Sequence, residues 1–321
     1  MIGRAFQARR SGKSMRGRYA GKVDAVKRLT TTRRKVLTLA AAGLAVGAAR
    51  TPRGVTMAAN PPNNVATAPI ELAGNWGKMI PHSADEVVEL MRHACLDGVR
   101  LVSDRQPARI RVDEHTSGSP AIWLHSDPAT TAWIIVDIGQ RAWCQLAYQF
   151  GHELGHVVAN SWRANDTPGP PSQWLEEGVV EAFSIRGLGH LARMWKQTPP
   201  FPNDNAYGDA VRQYRQDIVN QYNQLAAEQG ATKDFAGWFH GRQADIEKSG
   251  VIPYGRVAAA IILEEYERTP GCVEAVGAMN RWPARTHLPV LEYLAHWEAS
   301  CIELKASPAL PTYLKQRLTR G

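Results

Sequence analysis

The sequence predicts an α+β fold: a small β-sheet, then a mainly α-helical C-terminal half. Two observations carry this. Residues 108–112 (Ala-Arg-Ile-Arg-Val), 121–125 (Ala-Ile-Trp-Leu-His) and 132–137 (Ala-Trp-Ile-Ile-Val-Asp) are short β-rich runs separated by Gly, Pro and Asp. Downstream, Tyr207, Val211, Tyr214, Ile218, Tyr222 and Leu225 recur at i+3/i+4 spacing, one amphipathic stripe. Residues 254–268, 270–280 and 287–304 also read as helices. The spacing of the three β-rich runs suggests a meander. Ahead of them, residues 83–97 form a capped helix, with Ser83 at the N-cap, Glu86 completing a capping box and Gly98 ending it. Gly139 breaks the chain before a helix over 141–160. Asp166 to Pro171 read as a Pro/Gly loop, and Ser172 as the N-cap of a helix running through Ile185.

The N-terminal end reads differently. Residues 1–53 hold 14 Lys and Arg against one acid, Asp24. Within them, Thr31-Thr32-Arg33-Arg34-Lys35 precedes an apolar run through Ala49, the layout of a twin-arginine export signal. The run is short of the roughly 20 residues that span a bilayer. Cleavage is placed after Ala48 or Ala49, or near Met57-Ala58, with an uncleaved signal anchor as the alternative. The long basic lead allows an internal start at Met15. Export implies a periplasmic or extracellular protein that meets the twin-arginine translocase on its way out.

The signal also corrects the charge. Of 38 basic and 30 acidic residues in the whole chain, those after residue 53 number 24 and 29. The net charge of +8 therefore belongs to the precursor, and nucleic acid is not an expected partner. Residues 50–70 are rich in Pro, Asn, Ala and Thr and read as a linker. The organisation is thus signal peptide and linker over 1–58, an α+β part over 59–160 and a mainly helical part over 161–321. Four cysteines permit the pairs Cys95–Cys144 and Cys272–Cys301. Free buried thiols are equally compatible with a chain that folds in a reducing cytosol before export.

The chemistry-bearing motif is His152-Glu153-Leu154-Gly155-His156, an H-E-x-x-H. Histidines four apart project from one helix face and can reach a single Zn²⁺, with the intervening Glu beside the metal's water. Tyr148, Phe150, Leu154, Val157 and Val158 around it fit a mostly buried helix. Such a site holds one zinc per chain, with the fourth position open to water. Zinc brings that water's pKa toward about 7. Glu153 would act as general base and then pass the proton to the leaving amine.

The third ligand comes from Trp174-Leu175-Glu176-Glu177-Gly178-Val179-Val180-Glu181. Adjacent Glu176 and Glu177 point about 100° apart on a helix, so they cannot both face the metal. Glu177 and Glu181 share a face. That face can supply a ligand at Glu177 and, at Glu181, an acceptor for a ligand histidine's N–H; Glu176 would then be a solvated surface charge.

Together these motifs resemble the gluzincin metallopeptidases, which carry H-E-x-x-H and then W-L-x-E-G on the next helix. The resemblance places the metal ligands on His152, His156 and Glu177, the base on Glu153, and the acid that steadies a ligand histidine on Glu181. It implies a zincin-like fold, a small mixed sheet whose edge strand lines the cleft. Residues 132–137 are the candidate edge, to which a peptide or protein substrate could add as a strand. The resemblance also implies a tyrosine that stabilises the oxyanion. In Ile252-Pro253-Tyr254-Gly255-Arg256-Val257 that role falls on Tyr254.

The resemblance covers about residues 130–265 and departs in three ways. The spacer between the helices is slightly long. Val180 is bulkier than the family's small residue. The Gly-x-Met-x-Asn motif that holds a substrate's free amine is missing upstream of the zinc helix; Gly277-Ala278-Met279-Asn280 is similar but lies in the wrong half. Exopeptidase activity therefore has no support. His190, in Gly187-Leu188-Gly189-His190, reads as a loop residue, and the remaining histidines lie outside ligand spacing. Two other functions fit the same residues: a binding or structural protein on this scaffold, and a zinc amidohydrolase acting on a non-peptide, cell-wall amide.

Overall fold

The computed structural model describes residues 64–74, 76, 81–115, 119–138, 142–249 and 252–320. The export signal and its cleavage positions lie outside the described residues. Those described fall in one compact unit, and none of their helices is long and apolar enough to cross a membrane.

Among the described residues the sheet has four strands: β1 (Ile70–Gly74), β2 (Arg109–Glu114), β3 (Ala121–Ile122) and β4 (Thr131–Val136), in the order β1-β2-β4-β3. The first two pairings are parallel and β3 joins β4 antiparallel, so the sheet is mixed and not a meander. The meander expectation failed because β2 pairs in parallel with β4, which leaves the sequence-nearer β3 on the far side of β4. The unforeseen β1 occupies the edge beside β2. One face of the sheet is apolar, with Ile110, Val112, Ile122, Ala132, Ile134 and Val136 buried. The alternate positions carry Arg109, Arg111 and Trp133; the Arg111 guanidinium lies 4.2 Å over the Trp133 ring, and Trp133 donates to Asp113.

Strand β4 is also not an edge. It is flanked by β2 on one side and β3 on the other, and Trp123 N–H donates to Trp133 O one residue beyond β3. The open antiparallel edge belongs to β3.

Among the described residues nine α-helices follow or precede the strands: α1 (Pro81–Leu96), α2 (Trp143–Val158), α3 (Gln173–Gln197), α4 (Tyr207–Glu228), α5 (Phe235–His240), α6 (Gln243–Ser249), α7 (Ile252–Arg268), α8 (Val290–Glu303) and α9 (Ala309–Thr319). Residues Pro270–Ala278 form a 3₁₀ helix where an α-helix was expected. Ser83 sits inside α1, which starts two residues earlier on Pro81, a residue suited to a first turn. Gly98 ends that helix with φ +68°, as read.

Helix α2 is buried on nearly every side, so its packing, not a single amphipathic stripe, defines it. It stops in a Schellman arrangement: Ser161 N–H donates to His156 O at 2.8 Å and Asn160 N–H to Val157 O at 3.1 Å. Asn160 takes the left-handed conformation this needs, with φ +63°.

Helix α3 runs 12 residues past Ile185, to Gln197. Isolated glycines in an apolar helical pattern do not stop it. At Gly187 a Cβ would fall 2.5 Å from Cys95 Sγ, so this glycine marks a close crossing with α1. His190 consequently lies on a helix, paired with Asp97. Ser172 sits at the start of α3 but donates its hydroxyl to Leu288 O rather than capping. All four cysteines are free, and neither disulfide pair forms.

Candidate metal centre

Helices α2 and α3 meet through a missing side chain. A Cβ on Gly155 would come within 2.9 Å of Val180 Cβ, closer than carbon atoms approach without displacement. Gly155 thus supplies the room that the bulky Val180 takes up. The contact lies between the two histidines' helix turn and Glu177, so it sets their spacing.

On this framework His152, His156 and Glu177 offer ligand atoms within 4.8 Å of one another, a group that could hold a metal ion. Glu177 Oε2 lies 3.3 Å from His152 Nε2 and 3.6 Å from His156 Nε2. Both histidines therefore turn Nε2 toward the same carboxylate oxygen.

Their other nitrogens are equally fixed. His152 Nδ1 lies 2.6 Å from Glu181 Oε2, the support expected of Glu181. His156 Nδ1 lies 2.8 Å from Glu176 Oε1. Glu176 is thus the opposite of a solvated charge: it is fully buried. The angular argument was sound in denying Glu176 and Glu177 the same face. It overlooked that the face 100° away is also covered, and that His156 reaches across it.

Glu181 has further partners. Its Oε1 accepts from the hydroxyls of Tyr148 and Tyr222, which themselves lie 3.2 Å apart. Burial, then the Glu181 charge, push both phenols well above their usual range, so they stay protonated donors. Tyr148 precedes His152 by four residues and shares its face of α2. Tyr222 belongs to the aromatic stripe legible in α4. Burial alone would raise the Glu181 carboxyl, but hydrogen bonding with His152 and then the two tyrosines outweighs it and holds the group below its usual value.

The same balance governs His152. Burial alone disfavours its charged form, yet hydrogen bonds to Glu177 and Glu181 raise its pKa well above the ordinary 6.5. The nearby charge of Glu153 acts in the same direction. Glu153 itself is buried on α2, one residue after His152 and three before His156.

Helix α7 closes on α3 at Glu177. A Cβ on Gly255 would lie 3.0 Å from both Glu177 Cβ and Trp174 O. Tyr254, the residue before, is half-buried with its ring centroid 6.2 Å from that of Trp238 in a T-shaped contact. The contact with Glu177 is made by Gly255, and the Tyr254 ring packs on Trp238.

A scan against family models, a search of curated proteins and a search of solved structures each return no match to this chain. The site is read from its own residues. Among the described residues no other group of three or more His, Cys, Asp or Glu forms such a cluster.

Proposed function

We propose that this chain is an exported zinc-dependent metallopeptidase of gluzincin type, built on a zincin-like fold. One observation carries the reading. Two histidines present Nε2 to a shared carboxylate oxygen while two other carboxylates hold their Nδ1 atoms. Ligand atoms about 2.0–2.1 Å from a tetrahedral zinc lie about 3.3–3.4 Å apart. The distances of 3.3 and 3.6 Å from Glu177 Oε2 to the histidine nitrogens match that spacing. An ionised carboxylate only accepts, so Glu181 and Glu176 place the proton on each Nδ1 and leave Nε2 with its lone pair for a metal.

Zinc, when bound, supplies a Lewis acid that lowers the pKa of a water toward about 7. The remaining work belongs to the chain. Glu153 takes the proton of the attacking water and returns it to the leaving amine nitrogen. Tyr254 donates its hydroxyl to the oxygen on which negative charge develops. The substrate is a peptide or protein lying extended against the open edge of β3, not β4, where its backbone can pair. Arg33-Arg34 and the apolar run after them direct the chain to the twin-arginine translocase, and so to the periplasm or beyond.

Glu153→Gln tests the reading. Turnover of a peptide library should fall about 10²–10⁴-fold while the variant still binds zinc. Undiminished turnover would sink Glu153 as the base. Zinc uptake by the parent with no peptide cleaved would contradict the peptidase assignment and favour the cell-wall amide or the binding role.

A further inference from the structure

The two histidines are supported from different places. Glu181, behind His152, is held by tyrosines on α2 and α4, both part of the helical cluster that carries the site. Glu176, behind His156, is held by a residue 104 positions away. Asn280 Nδ2 lies 3.1 Å from Glu176 Oε2. The same amide also reaches Ala159 O at 3.1 Å and Ser161 Oγ at 3.0 Å, while Asn280 Oδ1 accepts from the Tyr293 hydroxyl at 3.1 Å. Asn280 is completely buried, with φ +57°.

The junction is reciprocal. From the end of α2, Asn160 Nδ2 donates to Gly277 O at 3.1 Å and Met279 O at 2.7 Å. Two left-handed asparagines thus tie the segment before α8 to the turn that follows His156. Asparagine suits both positions because its short polar side chain tolerates positive φ and satisfies neighbouring backbone groups.

We propose that Asn280 is a positioning residue for the metal centre, acting through Glu176 on His156. The inference rests on the zinc reading above. Glu176 uses both carboxylate oxygens as acceptors, Oε1 toward His156 and Oε2 toward Asn280. With the Asn280 amide gone, Glu176 Oε2 loses a donor that fixes the plane of its carboxylate. The acceptor at His156 Nδ1 is then held less firmly, and with it the aim of Nε2. The Gly277-Ala278-Met279-Asn280 run, which could not hold a substrate amine from its place in the chain, acquires a role behind the metal instead.

The test uses Asn280→Gly in the full chain. Glycine accepts the positive φ without strain, so the change removes the side chain alone. Zinc affinity, measured by competition with a chromophoric chelator, should fall about 10–100-fold. The visible spectrum of the cobalt-loaded protein should shift as the His156 ligand reorients. A second arm separates positioning from simple structural support. In a Glu176→Gln background, one acceptor of the pair is already a donor. There Asn280→Gly should change zinc affinity within about twofold, because the route through Glu176 is already broken.

Zinc affinity within about twofold of the parent in Asn280→Gly, or full additivity of the two losses, overturns the proposal. If Asn280→Gly does not fold, Tyr293→Phe removes only the hydroxyl that Asn280 Oδ1 accepts from. It should cost about twofold to tenfold in zinc affinity, and no loss overturns the proposal. A parent that takes up no zinc contradicts the metal reading itself. A parent that binds zinc beside variants that bind it equally contradicts only the role of Asn280.

Discussion

Gly155→Ala probes the contact on which the site's geometry depends. The added Cβ would meet Val180 Cβ at 2.9 Å, Cγ1 at 3.2 Å and Cα at 3.2 Å. These atoms belong to a β-branched residue on a buried helix, so they cannot swing away. Carbon contacts relax at about 3.5–4.0 Å, so α2 and α3 must separate locally by about 0.5–1 Å. Overpacking of this kind costs about 1–3 kcal/mol. Replacing Gly by Ala inside a helix returns about 1 kcal/mol. The net change in stability is therefore small, about 0–2 kcal/mol, which for a chain of this size moves Tm by at most about 4–8 °C.

Metal binding tolerates less. Ligand distances are held within about 0.2 Å, so a shift of about 0.5 Å between the histidine helix and Glu177 misplaces one ligand outright. Gly155→Ala should thus lose zinc affinity out of proportion to its loss of Tm. Differential scanning fluorimetry with and without zinc, beside chelator competition, reads both quantities. Parent-like zinc affinity together with a parent-like Tm would refute the reasoning, since the helices could not then be in contact at Gly155.

Other outcomes follow from the same geometry. Tyr254→Phe should lower kcat by about 10²–10³-fold with KM little changed, as loss of one oxyanion donor does; an unchanged kcat removes Tyr254 from the reaction. In the metal-free chain, burial opposes the His152 imidazolium but the carboxylates of Glu177 and Glu181 outweigh it and raise its pKa well above 6.5. The metal-free chain therefore favours the His152 imidazolium, and a ligand must be neutral, so zinc competes with that proton. Below the raised pKa, apparent zinc affinity should fall about tenfold per pH unit. Zinc added in weak buffer below that pKa should release about one proton per ion from this pair. A zinc affinity flat from pH 8 to 6, with no proton released, contradicts it.

The cluster of His152, His156 and Glu177 was legible because its logic is local. His152 and His156 are one turn apart, and Glu177 and Glu181 repeat that spacing on the next helix, so each pair declares its own face. Tyr148 obeys the same rule and could have been found by extending the face of α2 back one turn. Glu176 was misread for a related reason. Helical angle says which residues share a face, but not which other faces are buried. Asn280 carries no short-range signal, since its contacts depend on two helix ends brought together by packing. The sheet failed in the same manner. Each β-rich run was found near where it lies, but β4 seemed an edge because chain order does not reveal that β2 pairs in parallel with β4 while β3 folds back onto its other side.

Metal content of the purified protein tests the central claim most directly. Elemental analysis should find about one zinc per chain, lost in both His156→Ala and Glu177→Ala. A parent chain without zinc, even after zinc is added back, would contradict the account.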